Sequence, residues 1–279
     1  MKGEHPGYHI LEGSPLNHKA VTFEQFKKIN IDIIICSYLP HLRVYEELRD
    51  KYHPNAKLIH QAGNNWLKAV DWSKARNLMA SCAPDDIVPA TVNKVFYHQE
   101  FDTKMFNYTP PKPSVYVRSF VNVLSGTEIF KEDWELFLAL ERLIPEFKFE
   151  SYGASCREGI VAGHNLIAEK MQTSLFGFHL KGGGDGFGHI IHNWFAMGRP
   201  PIVKMDQYQN QLAGDLMEDG VTCVNIDGLD VSQAANKIKH YASVDMYPKL
   251  AEGAYNRFKK IVNYDLEFDT ITDFLDNLI

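Results

Sequence analysis

The densest chemistry in this chain lies between Leu175 and Lys204, LFGFHLKGGGDGFGHIIHNWFAMGRPPIVK. An apolar run ends in Lys181, five glycines fill seven positions from Gly182 to Gly188, a helix-period segment follows, and Gly198 leads into the apolar Pro201 to Val203. That order predicts strand, glycine loop, helix, turn and strand. A loop almost without side chains lets backbone N–H groups reach a ligand, and the helix start adds unpaired donors and the positive end of a dipole. An anion, above all a phosphate, is the natural guest. A tight turn that merely requires glycine is the alternative.

Other patterns fit this chemistry poorly. A Walker loop ends in Gly-Lys and then Ser or Thr, whereas Lys181 precedes the glycines and no Ser or Thr follows them, which argues against an NTPase. A dinucleotide fingerprint opens the first βαβ unit and is followed about 20 residues on by an acidic residue closing a strand. Here Lys204, Met205 and Asp206 follow the strand, a poor match. His189 and His192 share a helix face, but no third ligand stands with them, so no metal site is expected. Asp85-Asp86 and Asp227-Gly228-Leu229-Asp230 miss the Asp-x-Asp spacing of metal-dependent sugar transferases and read as turns.

The elements that position the loop follow from periodicity. Thr22 to Ile29 reads as a short helix with Thr22 and Gln25 in capping-box positions. Ile31 to Cys36 is apolar enough to lie inside a parallel sheet, and His41 to Tyr52 is an amphipathic helix. Short strands are expected at Tyr8 to Leu11, Ala56 to His60, Arg76 to Ala80 and Lys94 to His98. In YTPPKPS, Tyr108 to Ser114, three prolines in four residues interrupt any helix or central strand and mark a linker. The βα rhythm then restarts, with strands at Val115 to Val121, Phe147 to Tyr152, Leu175 to Leu180, Pro201 to Val203 and Thr222 to Ile226. Helices are expected at Glu132 to Leu143, Asn165 to Thr173, around Gln209 to Glu218, Val231 to Ala242, Tyr247 to Val262 and Phe268 to Leu278. Such alternation predicts an α/β protein with covered parallel sheets and two domains, 1–108 and 115–279, joined by 109–114.

Composition narrows the function further. A net charge of −6 leaves no global basic field to hold nucleic acid. The four widely spaced cysteines, Cys36, Cys82, Cys156 and Cys223, read as reduced thiols, and no run approaches the roughly 18 apolar residues that span a bilayer. The N-terminus has no apolar signal core, so a cytoplasmic location is expected.

Residues 150 to 228 resemble the nucleotide-sugar half of GT-B glycosyltransferases, specifically the large retaining group 1. The resemblance rests on Tyr152-Gly153, then Asp185-Gly186-Phe187-Gly188, then Asn193 eight positions after Asp185, then Ala196-Met197-Gly198-Arg199-Pro200. The family has Glu where this chain has Asp185 and Asn193. In the first half, IDIIICS, His60 of KLIHQAGN, Ser81 of NLMASCAP and NKVFYHQEFD agree more weakly, and the short lead before IDIIIC makes the N-terminal domain minimal or truncated.

The resemblance implies a GT-B fold of two Rossmann-like domains whose last helix crosses back to the first. It implies transfer of a sugar from a nucleotide donor to an acceptor hydroxyl, with retention and without a metal or other cofactor. Asp185 and His60 would contact the transferred sugar, and Asn193 the ribose. The backbone of Gly184, Gly186, Phe187, Gly188 and His189 would face the diphosphate together with Lys181, Gly153 would admit the base, and Arg118 and Lys131 would be the basic pair on the diphosphate. The acceptor is open: a glycan, a lipid, a protein or a modified DNA base, the last disfavoured by the chain's acidity. A sugar-nucleotide epimerase of the same fold and a non-catalytic sugar-nucleotide-binding protein are the alternatives.

Overall fold

The structure, a computed structural model, describes residues 21–37, 41–63, 71–73, 75–82, 88–126, 128–181, 185–209 and 211–278. The expected strand at Tyr8 to Leu11 and the pair Asp85-Asp86 lie outside these.

The first half builds a parallel sheet from β1 (Ile33–Cys36), β2 (Lys57–Ala62), β3 (Asn77–Ala80) and β4 (Asn93–Phe96), paired in sequence order. Among the described residues the helices of this half are α1 (Phe23–Phe26) and α2 (Leu42–Tyr52). Thr22 caps α1 with the reciprocal bonds to Gln25 expected from the sequence. Buried Leu42, Leu58, Ala62 and Leu78 form the core on one side of this sheet. One expectation is corrected here: among the described residues β1 is an edge strand, half-exposed rather than enclosed. Among the described residues it pairs only with β2, and its Ile35 is 45% exposed while Ile34 and Cys36 are buried. An apolar run cannot by itself distinguish a central strand from an edge strand with one buried face.

The second half contains β5 (Tyr116–Ser119), β6 (Lys148–Ser151), β7 (Phe176–Phe178), β8 (Pro201–Val203) and β9 (Val224–Asn225), all parallel in the order β6-β5-β7-β8-β9. Around it lie α3 (Lys131–Leu143), α4 (His164–Gln172), α5 (His189–Ala196), α6 (Val231–Tyr241) and α7 (Tyr247–Ile261). Fully buried Phe137 of α3 stands edge-on to Phe149 and Phe178 of the sheet, a position where truncation to alanine costs about 3–5 kcal/mol. Gly177 on β7 lets α5 approach closely, because a Cβ there would lie 2.5 Å from the Trp194 ring. From Ile191 to Ala196 every residue of α5 is buried, as its apolar sequence requires.

The helix expected around Gln209 to Glu218 is not formed. Two 3₁₀ turns, Met205–Tyr208 and Leu212–Leu216, take its place. The chain folds back here so tightly that a Cβ on Gly214 would meet the Tyr208 carbonyl oxygen at 2.3 Å.

The last helix, α8 (Tyr264–Asp276), lies on the first sheet. Phe274 packs with Ile59, Met79 and Val95. Near its start Glu267 accepts from the His98 N–H (2.6 Å) and bonds its Nδ1 (2.7 Å). Glu267→Ala leaves both His98 groups without that carboxylate, which costs about 2–3 kcal/mol. A fall in Tm of roughly 5 °C is expected by differential scanning calorimetry, and an unchanged Tm would exclude the clasp.

Candidate anion-binding cleft

Chain order reverses in the second sheet at β5, whose neighbours β6 and β7 lie on opposite sides. In open parallel sheets the crevice beyond the carboxyl ends of the strands at such a reversal is where ligands bind. A cleft of about 390 Å³ lies there. Phe120, Val121 and Asn122 line it from the end of β5, and His179 and Lys181 from the end of β7. Asp185 to Ile190 form its floor, and Gly63 and Gln99 face it from the first half.

Asp185 is buried and bonded on both oxygens. Lys181 Nζ donates to Oδ1 at 2.6 Å, His179 Nε2 meets Oδ2 at 3.0 Å, and the Gly186 N–H donates to Oδ1 at 2.9 Å. Burial opposes ionisation, but the His179 ring and the Lys181 ammonium outweigh it and hold the carboxyl well below the ordinary range. The folded state therefore binds this proton less readily than the unfolded chain. The stability Asp185 contributes is complete above pH about 4 and is lost as pH falls further. Asp185→Asn is expected to flatten that part of the acid limb in urea titrations repeated at successive pH values.

The loop delivers fewer donors than the sequence suggested, and places them one residue further on. The Gly186 N–H is turned onto Asp185, and the Phe187 N–H donates to the Gly63 carbonyl at 3.0 Å, which ties the loop to the first half. Gly188 caps α5 at φ 77°, a left-handed conformation that suits glycine. Among the described residues no backbone carbonyl or capping side chain accepts from the amides of Gly188, His189, Ile190 or Ile191. Three of these residues, Gly188, His189 and Ile190, line the cleft, and open amides at a helix start are the kind of donor set that binds anions. Gly184 lies outside the described residues.

Histidines surround this helix start. His192 is fully buried and its Nδ1 meets the Gly188 carbonyl at 2.9 Å, fixing the cap; burial holds its pKa down to about 3. Its ring stacks on Phe187 at 3.9 Å. His189 faces the cleft and burial lowers its pKa as well. At the opposite wall Val123 adopts φ 62°, strain on the order of 1–3 kcal/mol for a β-branched residue, beside Asn122, whose Oδ1 accepts from the Ala154 N–H at 2.6 Å.

Asp185, Lys181, Gly186, Phe187, Gly188 and His189 are thus brought together; five other expected residues are not. Arg118 is buried beneath the sheet, bonded through Nε to Glu150 at 2.5 Å and through Nη1 to the Lys170 carbonyl at 2.7 Å. Lys131 is exposed, 3.6 Å from Glu128, in a separate depression with Trp134. His60 shares its side of β2 with Leu58 and lines another cavity, beside Leu42 and Arg49. β2 runs two residues past His60, so Gly63 rather than His60 reaches the cleft. Gly153 is filled in by its own neighbours, a Cβ meeting Asn122 Cα at 2.8 Å. Asn193 is buried in α5, its Oδ1 without a hydrogen-bond partner among the described residues, and is not part of the described cleft lining. The sequence reading missed His179, Gln99 and Asn122; the one visible signal was a histidine closing an apolar strand six residues before Asp185. No group of three or more metal-ligating side chains occurs among the described residues, and no described helix is long and apolar enough to cross a membrane.

No protein-family model matches the sequence, and no curated protein matches it. Solved structures do. HepE of Anabaena, in complex with UDP and glucose, superposes with a TM-score of 0.67 at 14% identity over 88% of this chain and 78% of its own. A glycosyltransferase of Rickettsia africae gives 0.68 at 16% identity, covering 91% and 79%. Sucrose-phosphate synthase of Thermosynechococcus elongatus gives 0.68 at 13% identity, covering 88% and 73%. These are GT-B glycosyltransferases, and the fold of this chain is theirs: GT-B, with two parallel α/β sheets facing one another across a cleft.

Proposed function

We propose that this chain is a nucleotide-sugar glycosyltransferase, and that the amides of Gly188, His189 and Ile190 hold the diphosphate of the donor. One observation carries the reading: a helix start with open N–H groups lies at the reversal point of the sheet, in the cleft that contains Asp185. As the sugar leaves, charge grows on the diphosphate, and fixed donors already aimed at that place lower the barrier without reorganising. Among the described residues Lys181 Nζ bonds only Asp185, and its ammonium adds a positive charge beside the leaving group. Asp185, ionised and immobilised, accepts from hydroxyls of the transferred sugar. This arrangement neutralises the leaving group without a metal, and retention of configuration is the outcome expected from the likeness of residues 150 to 228 to the retaining group. The complexes of HepE with UDP and with UDP-glucose support a nucleotide-sugar donor of this kind for the same fold.

The test is a thermal-shift screen of UDP-, GDP- and ADP-sugars in EDTA, followed by analysis of the products. A donor at 100 times its Kd stabilises by about 2.7 kcal/mol, so one base class is expected to raise Tm clearly, with EDTA making no difference. Release of nucleoside diphosphate with transfer of the sugar is the expected chemistry. Isomerised donor would make the protein an epimerase, and binding without any turnover would make it a binding module.

A further inference from the structure

Along the carboxyl edge of the first sheet runs an unbroken row of neutral hydrogen-bonding side chains. Ser37, just past β1, donates through Oγ to Gln61 Oε1 on β2 at 2.7 Å. Gln61 Nε2 donates to Tyr97 Oη, just past β4, at 2.6 Å. Tyr97 in turn hydrogen-bonds the Ser81 side chain, just past β3. Ser81 Oγ accepts from Gln99 Nε2 at 2.7 Å, and Gln99 lines the cleft that contains Asp185. Gly63 is moulded to this amide, since a Cβ there would lie 3.2 Å from Gln99 Nε2. Among the described residues nothing bonds the side-chain Oε1 of Gln99, so a carboxamide anchored through Nε2 presents its other end where the row enters the cleft.

The chemistry of the row selects its ligand. A carboxamide both accepts and donates, as a hydroxyl does, and an anchored one binds a hydroxyl in a fixed direction. A phosphate-bearing lipid or a nucleic acid would call for Lys or Arg here. Lys181 is the one such residue in the described lining, and it is bonded to Asp185 on the opposite side.

We infer that Gln99, held by the row from Ser37 to Ser81, binds a hydroxyl of a neutral sugar unit across the cleft from the start of α5. The inference rests on the proposed donor site for what lies opposite. The sugar arrives either as the transferred unit of the donor or as the acceptor, and the two sources are separable.

Titration calorimetry on the full chain with UDP, with UDP-glucose, and with methyl glucosides and galactosides in the presence of UDP decides it. In Gln99→Leu, UDP affinity is expected to stay within about twofold, while a sugar-bearing ligand binds at least about tenfold more weakly. UDP-glucose is the ligand affected if the sugar is the transferred unit, and the methyl glycoside if it is the acceptor. Gln99→Glu keeps an oxygen acceptor at the same reach and is expected to keep the ratio of sugar-ligand to UDP affinity. Sugar ligands unaffected by Gln99→Leu, equal weakening of UDP, or wild-type protein that binds phosphatidylglycerol vesicles or duplex DNA and no sugar would overturn the inference. Glycoside binding that is lost in Gln99→Leu, in a chain that binds no nucleotide, would remove the donor reading and leave this one standing.

Discussion

Gly188→Val is expected to abolish nucleoside diphosphate binding, raising Kd at least about 100-fold, or roughly 2.7 kcal/mol. Gly188 holds φ 77°, which costs a side-chain-bearing residue about 1–2 kcal/mol and a β-branched one more. Its Cβ would meet Ile191 Cγ2 at 2.8 Å and Asp185 Oδ2 at 3.1 Å, so strain relaxes by pushing the first turn of α5 and the Asp185 carboxylate apart. The same movement disperses the amides of Gly188, His189 and Ile190. The core does not depend on this cap, because Trp194 and Phe195 are buried further along the helix. Calorimetry should therefore record lost binding beside a folded far-UV spectrum. Nucleotide binding at wild-type affinity would show that the cap is a turn and nothing more.

Asp185→Ala is expected to separate binding from turnover. The carboxylate accepts from the Lys181 ammonium and is bonded to the His179 ring. Without it both face the diphosphate, and UDP binds as tightly as before or more tightly. Transfer should nonetheless fall by about 10²–10³ in kcat, the usual effect of removing one fixed group that acts on the transition state. Lys181 is partly exposed, so its lost ion pair lowers stability only modestly. Steady-state kinetics with the selected donor measure this. A kcat close to wild type would remove Asp185 from the chemistry, and weakened UDP binding would mean that it orders the loop instead.

Backbone features of the cleft were legible in the sequence, and side-chain directions were not. The strand before the glycine run and the helix after it, β7 and α5, follow from apolar period and glycine spacing, and so does the helix start as a source of N–H donors. Which amides are open depends on how closely the two halves approach, since Phe187 is turned onto Gly63 from the first half. Arg118 shows the limit for charged groups. In sequence it is a cation at the end of an apolar strand, and only the register of β5 on β6 sets it beside Glu150. His60 shows the limit for strand ends: a two-residue extension of β2 moves it from the cleft edge to a buried flank. Gln99 carried no local signal, because its meaning comes from Ser81, on a different strand connection 18 residues earlier.

A crystal structure of the chain with UDP, or with whichever nucleoside diphosphate the thermal screen selects, tests the central claim most directly. The account predicts phosphate oxygens about 2.7–3.2 Å from the backbone nitrogens of Gly188, His189 and Ile190, with Asp185 still bonded to His179 and Lys181. Phosphate bound elsewhere on the chain, with those amides turned to solvent, would contradict it.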